Sequence, residues 1–180
     1  MAKVVTGKVR LSYVQVFQPK TFGDGQTAKY SVSVIVPKTD AKTLGAIKKA
    51  VADATAEGIT AKWNGKKPQG LHLPLRDGDE ERPDDEAYKN SYFFNATSSR
   101  KPGVVDSELN AILDPDELYS GCYGRVSVNF YPYNTSGNRG IAAGLNNIQK
   151  LADGERLGSG SSAEADFADG YNDGGSDIDF

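Results

Sequence analysis

One cysteine, one histidine and no long apolar run set the first limits on this 180-residue sequence. With Cys122 alone there is no intrachain disulfide, and a reducing compartment fits. With His72 as the one histidine there is no Cys/His zinc cluster, and a Ser-His-Asp arrangement could use only that residue. His72 sits between Leu71 and Leu73, which reads as structural rather than catalytic. No stretch approaches the roughly 18 apolar residues that a membrane span needs. The opening MAKVVTGKVR lacks the apolar core of a secretory signal. No GxxxxGK[ST] phosphate loop occurs among the 20 glycines.

The acidic segments fail as metal sites. DGDEERPDDE at 77–86 has its glycine in second place, where a calcium loop needs one in sixth. PDDEAYK sets its lysine one residue too far from Glu86 for the acid–acid–lysine pattern of metal nucleases, and the run reads as a solvated loop. Enzyme chemistry, a metal and a cofactor are therefore not expected.

What is present is an uneven distribution of charge beneath a net of −3. Residues 151–180 hold eight acids and one base, Arg156, a net of −7. Of the chain's 24 acids and 21 bases, 16 and 20 then belong to residues 1–150, a net of +4. The 77–86 run removes a further seven acids and one base, so the rest of the body stands at +10. A basic body with two acidic appendages suits a polyanionic partner.

Periodicity gives the elements. Strands are expected at 7–19, 29–37, 71–75, 92–99, 121–134 and 141–151. One helix is expected after Asp40, with Leu44, Ile47, Val51 and Ala54 at three- and four-residue steps and Gly58 as its stop. Asn64-Gly65 reads as a hairpin turn, and 109–119 as a short helical turn broken at Pro115. This pattern predicts a mainly β chain, a closed antiparallel barrel with insertions. From Leu151 the composition shifts. Residues 158–180 hold no Lys or Arg, six acids and one aliphatic residue larger than alanine, Ile178. Such a segment cannot bury enough apolar area to offset its chain entropy, and disorder is expected. The organisation read from this is a body at 1–152 and an acidic tail at 153–180.

The chemistry concentrates in GCYGRVSVNFYPYN at 121–134. Its even positions are apolar or small, and its odd positions are Tyr123, Arg125, Ser127, Asn129, Tyr131 and Tyr133. Tyrosine rings stack on unpaired bases without demanding a sequence. Arg125 can pair with a phosphate or stack on a base. YFFNATSSRKP sets Tyr92 near Arg100 and Lys101, and NTSGNRG sets Arg139 at a hairpin tip. Trp63 beside the Asn-Gly turn could reach for a base or lie over a sheet edge. The other reading of the tyrosines is a second core layer beneath a helix or loop. Tyr13 and Phe17 share a face with Val9 and Leu11 and read as core, and of Phe93 and Phe94, which point opposite ways, one is expected to be buried.

YFFNATSSRKPGVVD, YSGCYGRVSVNFYPYN, GNRGIAAGLNNIQKL and GSSAEADF resemble the phage-encoded single-stranded DNA-binding proteins of OB-fold type, over about residues 4–168. The resemblance implies an elaborated OB barrel, non-specific single-strand binding, and a role in phage DNA replication or recombination in the host cytoplasm. The tail resembles in character those of bacterial and T7-like phage single-strand binders, which end in acids and a phenylalanine. It lacks the proline of the bacterial pattern. Asp177, Asp179 and Phe180 are the expected contacts to phage replication or recombination proteins, since a terminal ring plus carboxylate fits a pocket with a basic rim. Tyrosine and arginine also dominate protein interfaces, so the alternative is a phage structural or adaptor protein that uses the tyrosine face. RNA or duplex binding, and a homo-oligomer, stay open.

Overall fold

Val32, Val34 and Val36 alternate with Ser31, Ser33 and Ile35, and that alternation becomes the second wall of a barrel. In the computed structural model, residues 2–21, 27–135 and 137–157 are described. The elements in chain order are β1 (Ala2–Val5), β2 (Val9–Lys20), β3 (Lys29–Pro37), α1 (Ala41–Ala61), β4 (Arg76–Asp77), α2 (Gly78–Glu81), a 3-10 turn (Glu86–Tyr88), β5 (Ser91–Ser98), β6 (Gly103–Val105), β7 (Tyr123–Thr135) and β8 (Asn138–Ala152).

Five of the strands close on themselves. β2 pairs with β3 and β3 with β5, both antiparallel. β5 runs parallel to β8, β8 is antiparallel to β7, and β7 returns to β2 through Val9↔Gly124 and Arg10↔Tyr123. This is the expected mainly β architecture with one main helix, a five-stranded OB barrel. β1 extends it beside β7, and β6 beside β8. Inward residues fill the barrel: Val9, Leu11, Val34, Phe94, Val126 and Phe130 are all buried, and the rings of Phe94 and Phe130 lie 5.6 Å apart. α1 is capped by the Asp40 carboxylate, which accepts from the Thr43 N–H at 3.1 Å. It buries Leu44, Ile47, Ala50, Ala54 and Gly58 against β7 and β1. No helix among the described residues is long and apolar enough to cross a membrane.

Several expectations change. Asn64 and Gly65 form no hairpin: both have positive φ and terminate α1, with the Gly65 N–H bonded to the Ile59 carbonyl. The 71–75 segment makes a single bridge, His72 to Gly140. The 109–119 stretch holds a bridge at Ala111 and a turn rather than a helix. The acidic run folds into α2 and the 3-10 turn, because Asp77 and Asp85 cap them through the N–H groups of Asp79 and Ala87. Phe93 and Phe94 are both buried, since this insert covers the outer side of β5. The body also continues past residue 152. Tyr119 bonds Asp153 and Gly154, and the Leu157 N–H bonds the Ser120 carbonyl. The expected disorder at 158–180 lies outside the described residues.

Candidate nucleic-acid interface

The outer side of β3 and β5 carries a row of small polar groups. Ser31 pairs with Thr97, and Ser33 with Asn95, at successive outward positions. One-sided alternation explains the row: the same two strands point Val32, Val34, Phe94 and Ala96 inward. Along this floor runs a cleft of about 400 Å³, lined by Tyr13, Ser31, Val32, Ser33, Arg82, Asn95 and Thr97. Tyr13 stands at its edge. Between Ser12 and Gln15 the β2 strand has one residue more than its partner stretch Ser31–Ser33, a bulge, and Tyr13 adopts φ 48° within it. The bulge aims the ring out of the barrel, leaving it 56% exposed.

Arg82 faces Tyr13 from the insert. Its guanidinium lies 5.3 Å from the Tyr13 ring, 4.9 Å from Tyr88 and 5.4 Å from Phe93, and its Nη1 donates to the Tyr13 hydroxyl at 3.2 Å. Three rings therefore fix one cation beside an exposed stacking surface. The insert is pinned from two sides. Tyr88 is fully buried, edge-on to Phe93 at 5.0 Å, with its hydroxyl 3.0 Å from that of Ser33. Lys38 binds Asp77 at 2.9 Å and Asp79 at 2.8 Å. The Lys38 ammonium and the Asn90 N–H hold the Asp79 carboxyl below its ordinary range, and Asp79 with Asp77 raises Lys38. Among the described residues no group of three His, Cys, Asp or Glu side chains could hold a metal ion.

The arrangement is an aromatic surface, a held cation and a floor of hydroxyl and amide groups, on the barrel face that OB folds use for oligonucleotides. The family described as the single-stranded DNA-binding protein of Enterobacter phage Enc34 matches residues 2–177. The chain belongs to this family. It is a family of binding proteins, so the chain is a binder rather than an enzyme. The resemblance read from the sequence is borne out. A structure described as the single-stranded DNA-binding protein of bacteriophage Enc34 in complex with single-stranded DNA is 26% identical, with a TM-score of 0.74, covering 87% of this chain and 90% of that one. The crystal structure of gp2.5, a single-stranded DNA-binding protein encoded by bacteriophage T7, covers 98% of both chains with a TM-score of 0.61; at 17% identity it speaks for the fold alone. Protein p50 of Acyrthosiphon pisum secondary endosymbiont phage 1 is 27% identical over 177 residues, 93% of this chain and 92% of its own length.

The family member's expected site residues do not converge on one row. Odd positions of β7 do point outward, but the strand is long and its neighbours change along it. Tyr123 lies beside β2, with Lys8 5.0 Å and Arg10 5.5 Å from its ring. Arg125 donates from Nε to the Thr6 carbonyl at 2.9 Å, tying the β1–β2 link to β7. Asn129 donates to Asn146, which donates to Ser127. Tyr131 lies over Gly144, and the Tyr133 hydroxyl and the His72 backbone both crowd Gly140, so these rings share the β7–β8 side. Arg100 and Lys101 are exposed just after β5, at the end where Ser98 pairs with Tyr30. Arg139 is exposed on the β7–β8 hairpin.

One expected contact is corrected, and another is placed elsewhere. Trp63 is 4% exposed, its ring packed over Gly58 and its Nε1 donating to the Tyr133 carbonyl at 3.2 Å, so it has no face to offer a base. Tyr92 shares the inward side of β5 with Phe94 and is packed on the core beneath Lys38 and Lys48, away from the polar floor. Asp177, Asp179 and Phe180 lie outside the described residues. The cleft residues that the sequence reading did not name as contacts are Tyr13, Arg82, Ser31, Ser33, Asn95 and Thr97. Counting by twos cannot see a bulge. Arg82 did carry a signal, as the lone base in a run of seven acids. Arg82→Ala is expected to make the slope of log affinity against log salt shallower by about 0.7 for single strands. An unchanged slope would remove Arg82 from the phosphate path.

Proposed function

We propose that this chain coats single-stranded DNA without sequence preference, along the outer face of β3 and β5, in phage DNA replication or recombination within the host cytoplasm. The observation that carries this is the Tyr13–Arg82 pair above an uncharged polar floor. Stacking on a ring and pairing with one phosphate need no particular base. The floor's serines, threonine and asparagine can meet sugar and base edges of any sequence. Arg100 and Lys101 at one end and Arg139 on the β7–β8 hairpin extend the basic path. The solved family member described in complex with single-stranded DNA supports the reading. Titration with oligo-dT and with a hairpin duplex at two salt concentrations tests it. Tight, salt-dependent binding of oligo-dT over duplex is expected, and equal or better duplex binding would overturn it.

The acidic segment 158–180 completes the proposal. Its six carboxylates compete with DNA for the basic body, and Asp177, Asp179 and Phe180 dock on phage replication or recombination proteins. Covalent linkage over so few residues supplies effective concentrations of about millimolar order. Deleting 158–180 is expected to tighten single-strand binding, most at low salt, because screening weakens such competition. Removing Phe180 alone should leave DNA affinity unchanged and abolish capture of a phage polymerase, helicase or nuclease. Unaltered low-salt binding after the deletion rules out competition, and full partner capture without the ring rules out docking.

A further inference from the structure

A second cleft, of about 250 Å³, opens on the outer side of the barrel where β7 meets β2, lined by Lys8, Val9, Arg10, Ile35, Pro37, Ala87, Ser91 and Tyr123. We infer that the Lys8–Arg10–Tyr123 cleft is a second nucleotide subsite, taking the base and phosphate of a strand that continues from the Tyr13–Arg82 groove. This rests on the single-strand reading above.

The chemistry of the cleft repeats that of the groove from different residues. Tyr123 supplies a ring, with Lys8 Nζ at 5.0 Å and Arg10 Cζ at 5.5 Å from its centroid. Arg10 is held in place by carbonyls, not carboxylates: Nε donates to Gly121 at 3.1 Å and Nη2 to Glu155 at 2.8 Å. Its charge is therefore positioned without being neutralised. Neither Arg10 nor Lys8 takes part in a salt bridge among the described residues, whereas Lys38 is committed to Asp77 and Asp79. Two uncompensated cations around a ring meet both needs of a nucleotide, a stacking surface and a counter-charge for its phosphate.

The two clefts also lie along the same two strands, β2 and β3. Ser33 and Ile35 are successive outward positions of β3, the first lining the groove and the second lining the cleft. On β2, Arg10 is the register partner of Tyr123, and Tyr13 follows three positions later. At about 3.3 Å per strand residue the two rings are set about 10 Å apart along the sheet. Stacked nucleotides advance about 3.4 Å each, so about three of them join the subsites.

Length dependence separates the second subsite from the first. The full chain is titrated with oligo-dT of two and of about twelve nucleotides; at about 3.4 Å per nucleotide the first is too short to reach both rings, and the second covers an OB site. Tyr123→Ala and Lys8→Glu are each expected to weaken the longer oligonucleotide about tenfold and leave the shorter within about twofold, while Tyr13→Ala weakens both. Lys8 is exposed, so Lys8→Glu keeps the test valid if Tyr123→Ala, whose ring packs on Gly154, fails to fold. Equal losses on both lengths, or no loss on either, would overturn the subsite. If the unaltered chain binds neither oligonucleotide, the single-strand reading itself fails, and the two failures are distinct.

Discussion

Tyr13→Ala is expected to lower single-strand affinity by about 1–3 kcal/mol while leaving the melting temperature unchanged. The ring is more than half exposed, so its loss opens no cavity in the core. It is set at the edge of the groove by a bulge, and Arg82 lies over it. What disappears is a stacking surface and the hydroxyl that receives Arg82. A second variant separates binding from folding. Tyr13 adopts φ 48°, in the left-handed region that costs a side chain roughly 1–2 kcal/mol and glycine little. Tyr13→Gly is therefore expected to lose the same affinity and to melt no lower than the unaltered protein. Tyr131→Ala is the comparison, because that ring lies on the β7–β8 side. The groove reading expects a change within a few-fold there. A large loss for Tyr131 with none for Tyr13 would move the strand to that side.

The bulge that sets Tyr13 at the groove is also what hid it. In strict alternation from Val9, residue 13 falls on the inward side with Leu11, and the sequence offers no mark of the inserted step. β3 had no such irregularity, and its bounds and faces were legible in KYSVSVIVP. The barrel was legible for a related reason: inward and outward residues differ in polarity, and a half-buried strand must alternate. The tyrosine row of β7 was legible as a row, but not its partition. Which neighbour each tyrosine meets depends on β2 pairing at residues 123 and 124, β1 at 127–130 and β8 throughout. That is long-range topology, which local pattern does not carry. The acidic insert was misread for the opposite reason. Its charge suggested solvation, yet Asp77, Asp79 and Asp85 act locally as caps and anchors, and the decisive apolar residue, Tyr88, lies just beyond the run.

Tyr88 carries the other large expected effect, because it joins stability to the site. Its ring is fully buried between the insert and β5, edge-on to Phe93 at 5.0 Å and 4.9 Å from the Arg82 guanidinium. Tyr88→Ala removes that ring from a small satellite core made with Ile35 and Phe93. Truncating a buried aromatic costs about 3–5 kcal/mol, and in a domain of this size that lowers the melting temperature by about 10 °C. Lys38 still holds Asp77 and Asp79, so part of the loss appears as local release of the insert. Release carries Arg82 away from Tyr13, and single-strand affinity should fall even in molecules that stay folded. Tyr88→Phe keeps the ring and removes only the hydroxyl 3.0 Å from that of Ser33. That variant is expected to lose about 1 kcal/mol of stability and little affinity. Denaturant melts give the first quantity, and oligo-dT titration well below the unfolding midpoint gives the second. If folded Tyr88→Ala binds like the unaltered chain, Arg82 does not owe its place to this pin. If the variant melts like the unaltered chain, the insert is not part of the cooperative unit.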